Sequence, residues 1–565
     1  MTEPIRVSEK TRSPIEIPEK NFDFLEGRIS PKRITEIVTK LVEETGSKYL
    51  RGKIEEEVKS RLLSLEAITL CDRFRQGVEQ SVTLANELLK GRRYDWWNSD
   101  EYRRRMEPLF KIISKGQFVA ILGPYALNRV AGTGPVMVSN YDDLFPENDG
   151  LFLDALTNAT VTNFGQGYPL HMAAANSLIR LTGGAQCSPY HPGPLMEPAA
   201  EALLSLMPFD TKDAKVAWFN DGGAANSVGM VAAEKYTEMV HGENGRRKVV
   251  YFREAYHGNI EGRAGEVTSG INQKIIHAED RNSIELEFPN KPEEVEPVLS
   301  EIKRLIQQNR LSCVVFESTQ GDGGGISMHP DFFIELMKLS LDNNIPLICD
   351  EVQSGFGRSG KIFDVEYLLE YWRNSPYVTN GEYPERPPMI ITVGKSMTNG
   401  VLPGSAVVIP EKYAVLERAQ GLSTYSAHPG TLAATMVTAG LMQPETLAMV
   451  NNKRQIFEEA IVPYIGEDRL IKDVRGHGLH LFLELAPIPN INQLLQVELL
   501  GRARILTGTV ARDALRVHAP INAPDIVWKA LAVTIGETVA EIEQGNVSNQ
   551  TLQILNSGPS GLAVR

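Results

Sequence analysis

The chain has 565 residues, 42% of them hydrophobic and 23% charged, with a formal net charge of −13. That length and balance describe an ordinary globular protein of more than one domain. The negative charge argues against non-specific binding to nucleic acid or to anionic membranes.

In chain order, residues 1–22 are polar and broken by proline, and read as a flexible arm. Residues 23–110 read as a helical extension. Ser30 and Pro31 supply a cap and first-turn pair, Ile34, Ile37, Val38, Leu41 and Val42 follow at helical spacing, and Gly46 ends the pattern. A second helical pattern runs through KIEEEVKSRLLSLEAITLCDRF. The stretch GRRYDWWNSDEYRRRMEPLF mixes basic and aromatic residues, a combination that can bind nucleic acid. With this net charge it reads instead as a helix burying Trp96 or Trp97. Neither a signal peptide nor a membrane span is expected. Cys71, Cys187, Cys313 and Cys349 are dispersed and form no CxxC pair. Neither a disulfide framework nor a metal site is expected, and a reducing, cytoplasmic setting fits.

From about residue 150 short runs rich in Val and Ile alternate with helical patterns: KVAWF, KVVYF, SCVVFES, IPLICDE, MIITVGK and SAVVIP. This is the pattern of an α/β domain with a mostly parallel sheet, whose ligands sit beyond the carboxyl ends of the strands. The residues just after these runs carry chemistry. Asp350 ends one strand, Glu317 another, and Asp322 follows among glycines. Asp221-Gly222-Gly223 opens a helix, where free N–H groups suit a phosphate. Tyr256-His257-Gly258 follows a strand, and Lys395 follows MIITVG. Taken singly, these read as a helix cap, a flexible loop, an ordinary turn and a turn aromatic. Taken together, they are the parts of a pyridoxal phosphate site: a lysine for the Schiff base, an acid for the pyridinium nitrogen, an aromatic against the ring and a helix start for the phosphate.

The motifs CDEVQSGFGRSGKIF, VVFESTQGDGG, AYHGN, ITVGKSMTNGVLPGSAVV, STYSAHPGTLAA and VRGHGLHLFLEL, in this order, resemble the class III (ornithine aminotransferase-like) family of pyridoxal-phosphate enzymes. The resemblance covers roughly residues 150–540. It implies fold type I: a large domain with a mostly parallel central sheet flanked by helices, and a small α+β C-terminal domain. The expected divisions are 111–165 for the N-terminal part of the small domain, 166–440 for the large cofactor domain and 441–565 for the C-terminal small domain. By resemblance, Lys395 and Asp350 are catalytic, and Gln353 meets the cofactor's phenolic oxygen. Tyr256 stacks on the ring with His257 beside it, and backbone groups of Gly222, Gly223 and Ala224 hold the phosphate. Thr424 reaches the cofactor of a partner subunit in a homodimer with shared sites. Glu317, Asp322 and Arg475 serve the substrate, the acid masking the arginine until a substrate carboxylate claims it.

The sequence also departs from the family. Asp221, Gly223 and Ala224 replace the usual phosphate-turn residues, Ser318 replaces proline, His428 replaces asparagine, and residues 365–388 are inserted. The implied activity is transfer of an amino group from an amino acid or amine to a 2-oxo acid. Decarboxylation, epimerisation, amino-group migration or elimination on the same cofactor is the first alternative, and a non-catalytic binding protein the second.

Overall fold

The computed structural model describes residues 65–91, 129–133, 136–139, 151–182, 193, 195–242, 248–258, 262–269, 282–417, 420–421, 423–511, 513–549 and 551–552. The arm at 1–22, the helix opened by Ser30 and Pro31, and the Trp96–Trp97 segment lie outside the described residues. Helix α1 spans Leu65–Leu89. Its Phe74, Val78, Ala85 and Leu88 recur at helical spacing and are buried. That stripe packs within this same chain, where Phe74 meets the ring of Tyr168 edge-on at 5.4 Å.

Strands β1 (Arg129–Thr133), β2 (Val136–Ser139) and β3 (Leu151–Asp154) form an antiparallel meander. The chain then makes a left-handed turn over Thr157–Thr160, with φ from 48° to 68°. Each such non-glycine residue costs about 1–2 kcal/mol. Asp154 steadies the turn by accepting from the N–H groups of Leu156 at 3.1 Å and Thr157 at 2.8 Å. Helix α2 (Pro169–Leu181) follows, with proline in its first turn, where the missing N–H is no loss.

The central sheet is built from β4 (Lys215–Phe219), β5 (Lys248–Phe252), β6 (Ser283–Leu286), β7 (Leu311–Phe316), β8 (Leu347–Asp350), β9 (Ile390–Val393) and β10 (Ser405–Ile409). Their order is β4-β10-β9-β8-β7-β5-β6. All pairs are parallel except the two made by β10. Because β10 opposes both its neighbours, β4 runs the same way as the others. The carboxyl ends of β4, β5, β7, β8 and β9 therefore emerge on one side. The six apolar runs of the sequence are six of these strands. The seventh, β6, is SIEL, partly buried at every residue, and carries no such run.

Strands β7, β8 and β9 are buried throughout, as a sheet covered on both faces requires. Helix α3 (Gly222–His241) covers one face through Ala225, Met230 and Ala233. Helices α4 (Pro292–Gln307) and α5 (Pro330–Asn343) cover the other through Leu299, Ile302, Phe332 and Phe333. The inserted residues 365–388 begin with α6 (Val365–Asn374) and lie against α5. Tyr377 donates to Glu335 at 2.7 Å and Tyr383 to Asp342 at 2.5 Å.

Helices α7 (Pro429–Leu441) and α8 (Pro444–Ile461) lead into β11 (Ile471–Arg475) and β12 (Leu481–Leu485). Then come β13 (Ile505–Leu506), β14 (Gly508–Val510), β15 (Ala514–Val517) and α9 (Asp525–Glu543). His428 caps α7, its ring Nδ1 accepting from the Gly430 N–H at 3.1 Å, a task asparagine performs equally well. Strands β11-β12-β15-β14 make an antiparallel sheet. Strand β13 instead joins β3 in parallel, so strands from both ends of the chain share a sheet. Helix α9 packs against both α8 and α1.

Candidate active site

A cavity of about 780 Å³ opens at the carboxyl ends of the parallel strands. Gly222, Gly223, Tyr256, His257, Glu317, Asp350, Gln353 and Lys395 all line it, although they come from segments far apart in the chain. Its remaining wall includes Val161, just after the left-handed turn, and residues 400–404, which lead into β10.

Asp350 is held by three donors. Asn226 Nδ2 reaches its Oδ2 at 2.7 Å, His257 Nδ1 reaches the same oxygen at 2.9 Å, and the Val352 N–H reaches Oδ1 at 2.9 Å. Asn226 is fixed in turn. It also donates to the His257 carbonyl at 2.8 Å and accepts from the Thr392 hydroxyl at 2.6 Å. A carboxylate accepts only, so His257 carries its proton on Nδ1. Its buried Nε2 has no hydrogen-bond partner.

Lys395 has φ 46°, which turns the chain sharply as it leaves β9. Burial lowers its proton affinity, and the charge of Arg516 lowers it further, against the carboxylates of Asp322, Asp350 and Glu317. Glu317 is buried, and its Oε2 meets no partner. Burial first, then the carboxylates of Asp350 and Asp322, push it well above the usual carboxylate range. Tyr256 is 39% exposed, and burial and the acids around it raise its proton affinity.

The family model described as aminotransferase class-III matches residues 144–521. The chain belongs to the class-III aminotransferases. The protein is 24% identical over 379 residues to the acetylornithine aminotransferase of Lactococcus lactis subsp. lactis, over 67% of this chain and 89% of that relative. A transaminase from the marine bacterium Virgibacillus superposes with a TM-score of 0.64 at 18% identity, over 78% of this chain and 99% of that one. An ornithine aminotransferase from Toxoplasma gondii, described with partial occupancy of PLP at its active site, superposes with a TM-score of 0.62 at 19% identity, over 80% of this chain and 99% of that one. The fold is therefore fold type I. The aminotransferase depends on pyridoxal 5′-phosphate and transfers an amino group from an amino donor to a 2-oxo acid.

The residues present suit that cofactor. One cavity offers an amine, a fixed carboxylate, an amide and glycine backbone at a helix start. A Cβ on Gly222 would come within 2.9 Å of Val352, so only glycine lets the backbone run this close. Two expectations need correction. Ala224 is not free for a phosphate, because its N–H is taken by the Asp221 carboxylate at 2.9 Å, capping α3. Asp322 does not pair with Arg475. It pairs with Arg516 at 2.5 Å, and Arg475 pairs with Glu484.

The register explains the exchange. Arg475 and Arg516 both stand opposite Phe482, on β11 and β15, so the three side chains share one face of the small sheet. The Asp322 loop is tied to the β15 side, because the Ala511 N–H donates to the Asp322 carbonyl at 2.9 Å. Arg475 lies two strands away from Arg516 and meets Glu484, its diagonal neighbour on β12.

Thr424 is exposed and does not line the cavity. Ser318 donates to Asp364 at 2.8 Å, a bond proline could not make. The sequence alone does not single out Arg516, Asn226 or His480. Arg516 alternates with the buried Leu515 and Val517 in a strand, the one available signal. Among the described residues, no group of His, Cys, Asp or Glu is arranged to hold a metal ion, and no helix is long and apolar enough to cross a membrane.

Proposed function

We propose that Lys395 carries the cofactor and then moves the proton at the substrate α-carbon. The convergence of Lys395, Asp350 and Gln353 on one cavity supports this reading most strongly. Bound pyridoxal phosphate supplies the electron sink that makes the α-proton labile. The chain supplies the rest. Burial and Arg516 enlarge the uncharged share of Lys395, the form that can act as nucleophile and base. Asp350, immobilised by Asn226, His257 and the Val352 N–H, offers a fixed negative charge to the ring nitrogen. Tyr256 covers the ring with His257 beside it, and Gly222 and Gly223 present backbone to the phosphate. Glu317, its proton affinity raised by burial, faces the substrate from the cavity wall. Arg516 is the anchor for a substrate carboxylate, with Asp322 its resident partner. Arginine suits that task because its fork binds a carboxylate through two parallel bonds.

The active unit in this reading is a homodimer whose exposed Thr424 reaches the partner's cofactor phosphate, in a cytoplasmic setting consistent with the dispersed cysteines. Borohydride reduction of the holoenzyme and peptide mapping test the central claim. The pyridoxyl label is expected on Lys395, and a label on any other lysine would sink it. A coupled assay for transfer to 2-oxoglutarate or pyruvate tests the reaction itself.

A further inference from the structure

Next to Gln353, but outside the cavity lining, stands His480. Its Nε2 lies 3.2 Å from Gln353 Oε1. The ring is fully buried, and its Nδ1 meets no hydrogen-bond partner. The Gln353 amide lies close against Gly321, where a Cβ would fall 1.9 Å from Oε1. On the main-chain side, the Thr160 hydroxyl holds the Gln353 carbonyl at 2.8 Å. Phe482 meets the His480 ring edge-on at 4.9 Å, and the His518 ring lies tilted beside it at 5.2 Å. The ring packs between aromatic neighbours and does not itself line the cavity, whereas Gln353 does.

Burial pushes His480 down to about 3. The charges of Arg516, Arg358 and His477 act the same way, and Asp364 opposes them. The ring therefore carries a single proton near neutrality. Two arrangements satisfy the 3.2 Å contact. Either Nε2–H donates to the Gln353 carbonyl oxygen, or the Gln353 amide donates to a bare Nε2. The second leaves the proton on Nδ1, where a buried N–H would face no acceptor at the full desolvation cost. The first leaves only a lone pair there. It also turns the Gln353 NH₂ away from His480.

We propose that His480 is a positioning residue that fixes the Gln353 amide so that its N–H, not its carbonyl, meets the phenolic oxygen of bound pyridoxal phosphate. This rests on the reading of Gln353 as the contact to that oxygen.

The test is a pH titration of the visible absorption of the holoenzyme, for wild type, Gln353→Leu, His480→Phe, His480→Gln and the Gln353→Leu/His480→Phe double variant. A donor on the phenolic oxygen stabilises its anion, so losing that donor moves the midpoint upward by about one pH unit, a tenfold change in proton affinity. Gln353→Leu and His480→Phe are each expected to produce this rise. The double variant should rise no further than either, because the two act as one unit. His480→Gln keeps a donor toward Gln353 and should stay within about 0.3 unit of wild type, roughly a twofold change. An unmoved midpoint in Gln353→Leu overturns the reading of Gln353, and the inference with it. A shift in Gln353→Leu without one in His480→Phe overturns the inference alone. So do an additive double variant and an equal shift in His480→Gln and His480→Phe, which would mark His480 as packing only. His480→Leu, titrated in parallel, carries the same expectation as His480→Phe if the larger ring prevents folding.

Discussion

Arg516 holds Asp322 at 2.5 Å, while Arg475, on the same face of the small sheet but two strands away, pairs with Glu484. The two arginines therefore predict different kinetics. Arg516→Ala should raise KM for the 2-oxo acid and lower kcat/KM by about 10- to 100-fold, the range for losing a charge-assisted contact. Arg475→Ala should stay within about threefold, because its partly buried pair with Glu484 lies two strands from Arg516 and Asp322. Steady-state kinetics with varied 2-oxo acid decide it, and the opposite ranking would return the substrate role to Arg475.

Asn226 donates to Asp350 and accepts from Thr392, so Asn226→Leu removes a support without touching the carboxylate itself. The variant should fold, bind the cofactor more weakly and lose about tenfold or more in kcat, given about 1–3 kcal/mol for a buried group left unpaired. Circular dichroism and single-turnover rates measure the two parts. Wild-type rates would show that His257 and the Val352 N–H suffice.

Glu317 titrates well above an ordinary carboxylate because it is buried beside Asp350 and Asp322. The folded chain thus keeps a proton that the unfolded chain releases above roughly pH 4.3. The resulting stability is full below that pH and is lost as pH rises toward the folded value. Glu317→Gln removes the dependence. Melting temperatures from pH 5 to 8 should show the variant gaining on wild type as pH rises. A constant difference would mean that Glu317 is ionised in the folded state.

Asp221 brings a carboxylate to the helix start proposed to hold the cofactor phosphate, and it caps that helix through the Ala224 N–H. Serine caps about as well and carries no charge. Asp221→Ser should therefore tighten cofactor binding by a few-fold, with stability changed by less than about 1 kcal/mol. Equilibrium dialysis of the cofactor checks this. Weaker binding would show that the carboxylate organises the phosphate loop.

Phe74 is 1% exposed and meets Tyr168 edge-on. Phe74→Ala should cost about 3–5 kcal/mol, as large aromatic deletions in cores do. Chemical denaturation at two protein concentrations separates this from an effect on assembly. A loss that appears only on dilution would mean that α1 supports a subunit contact instead.

The strand-forming runs, the helix spacing and the positions of Lys395, Asp350, Gln353 and Tyr256 after strands were legible in the sequence. They follow from local rules: Val- and Ile-rich runs make buried strands, and ligands gather beyond strand ends. The Asp221 cap was legible only as a charge in the wrong position for a phosphate. Which side chains meet across strands was not legible at all. The pairing of Asp322 with Arg516 depends on β11, β12 and β15 lying in that order, and on a backbone bond from Ala511 to the Asp322 loop. His480 and Gln353 are separated by 127 residues and meet only once the small sheet is in position against the large domain. Registers and interdomain contacts come from packing summed over the whole chain, so no short motif carries them. The sequence by itself determined the fold and the candidate cofactor residues, while tertiary structure decided which arginine meets Asp322 and which neighbours hold Asp350 and Gln353.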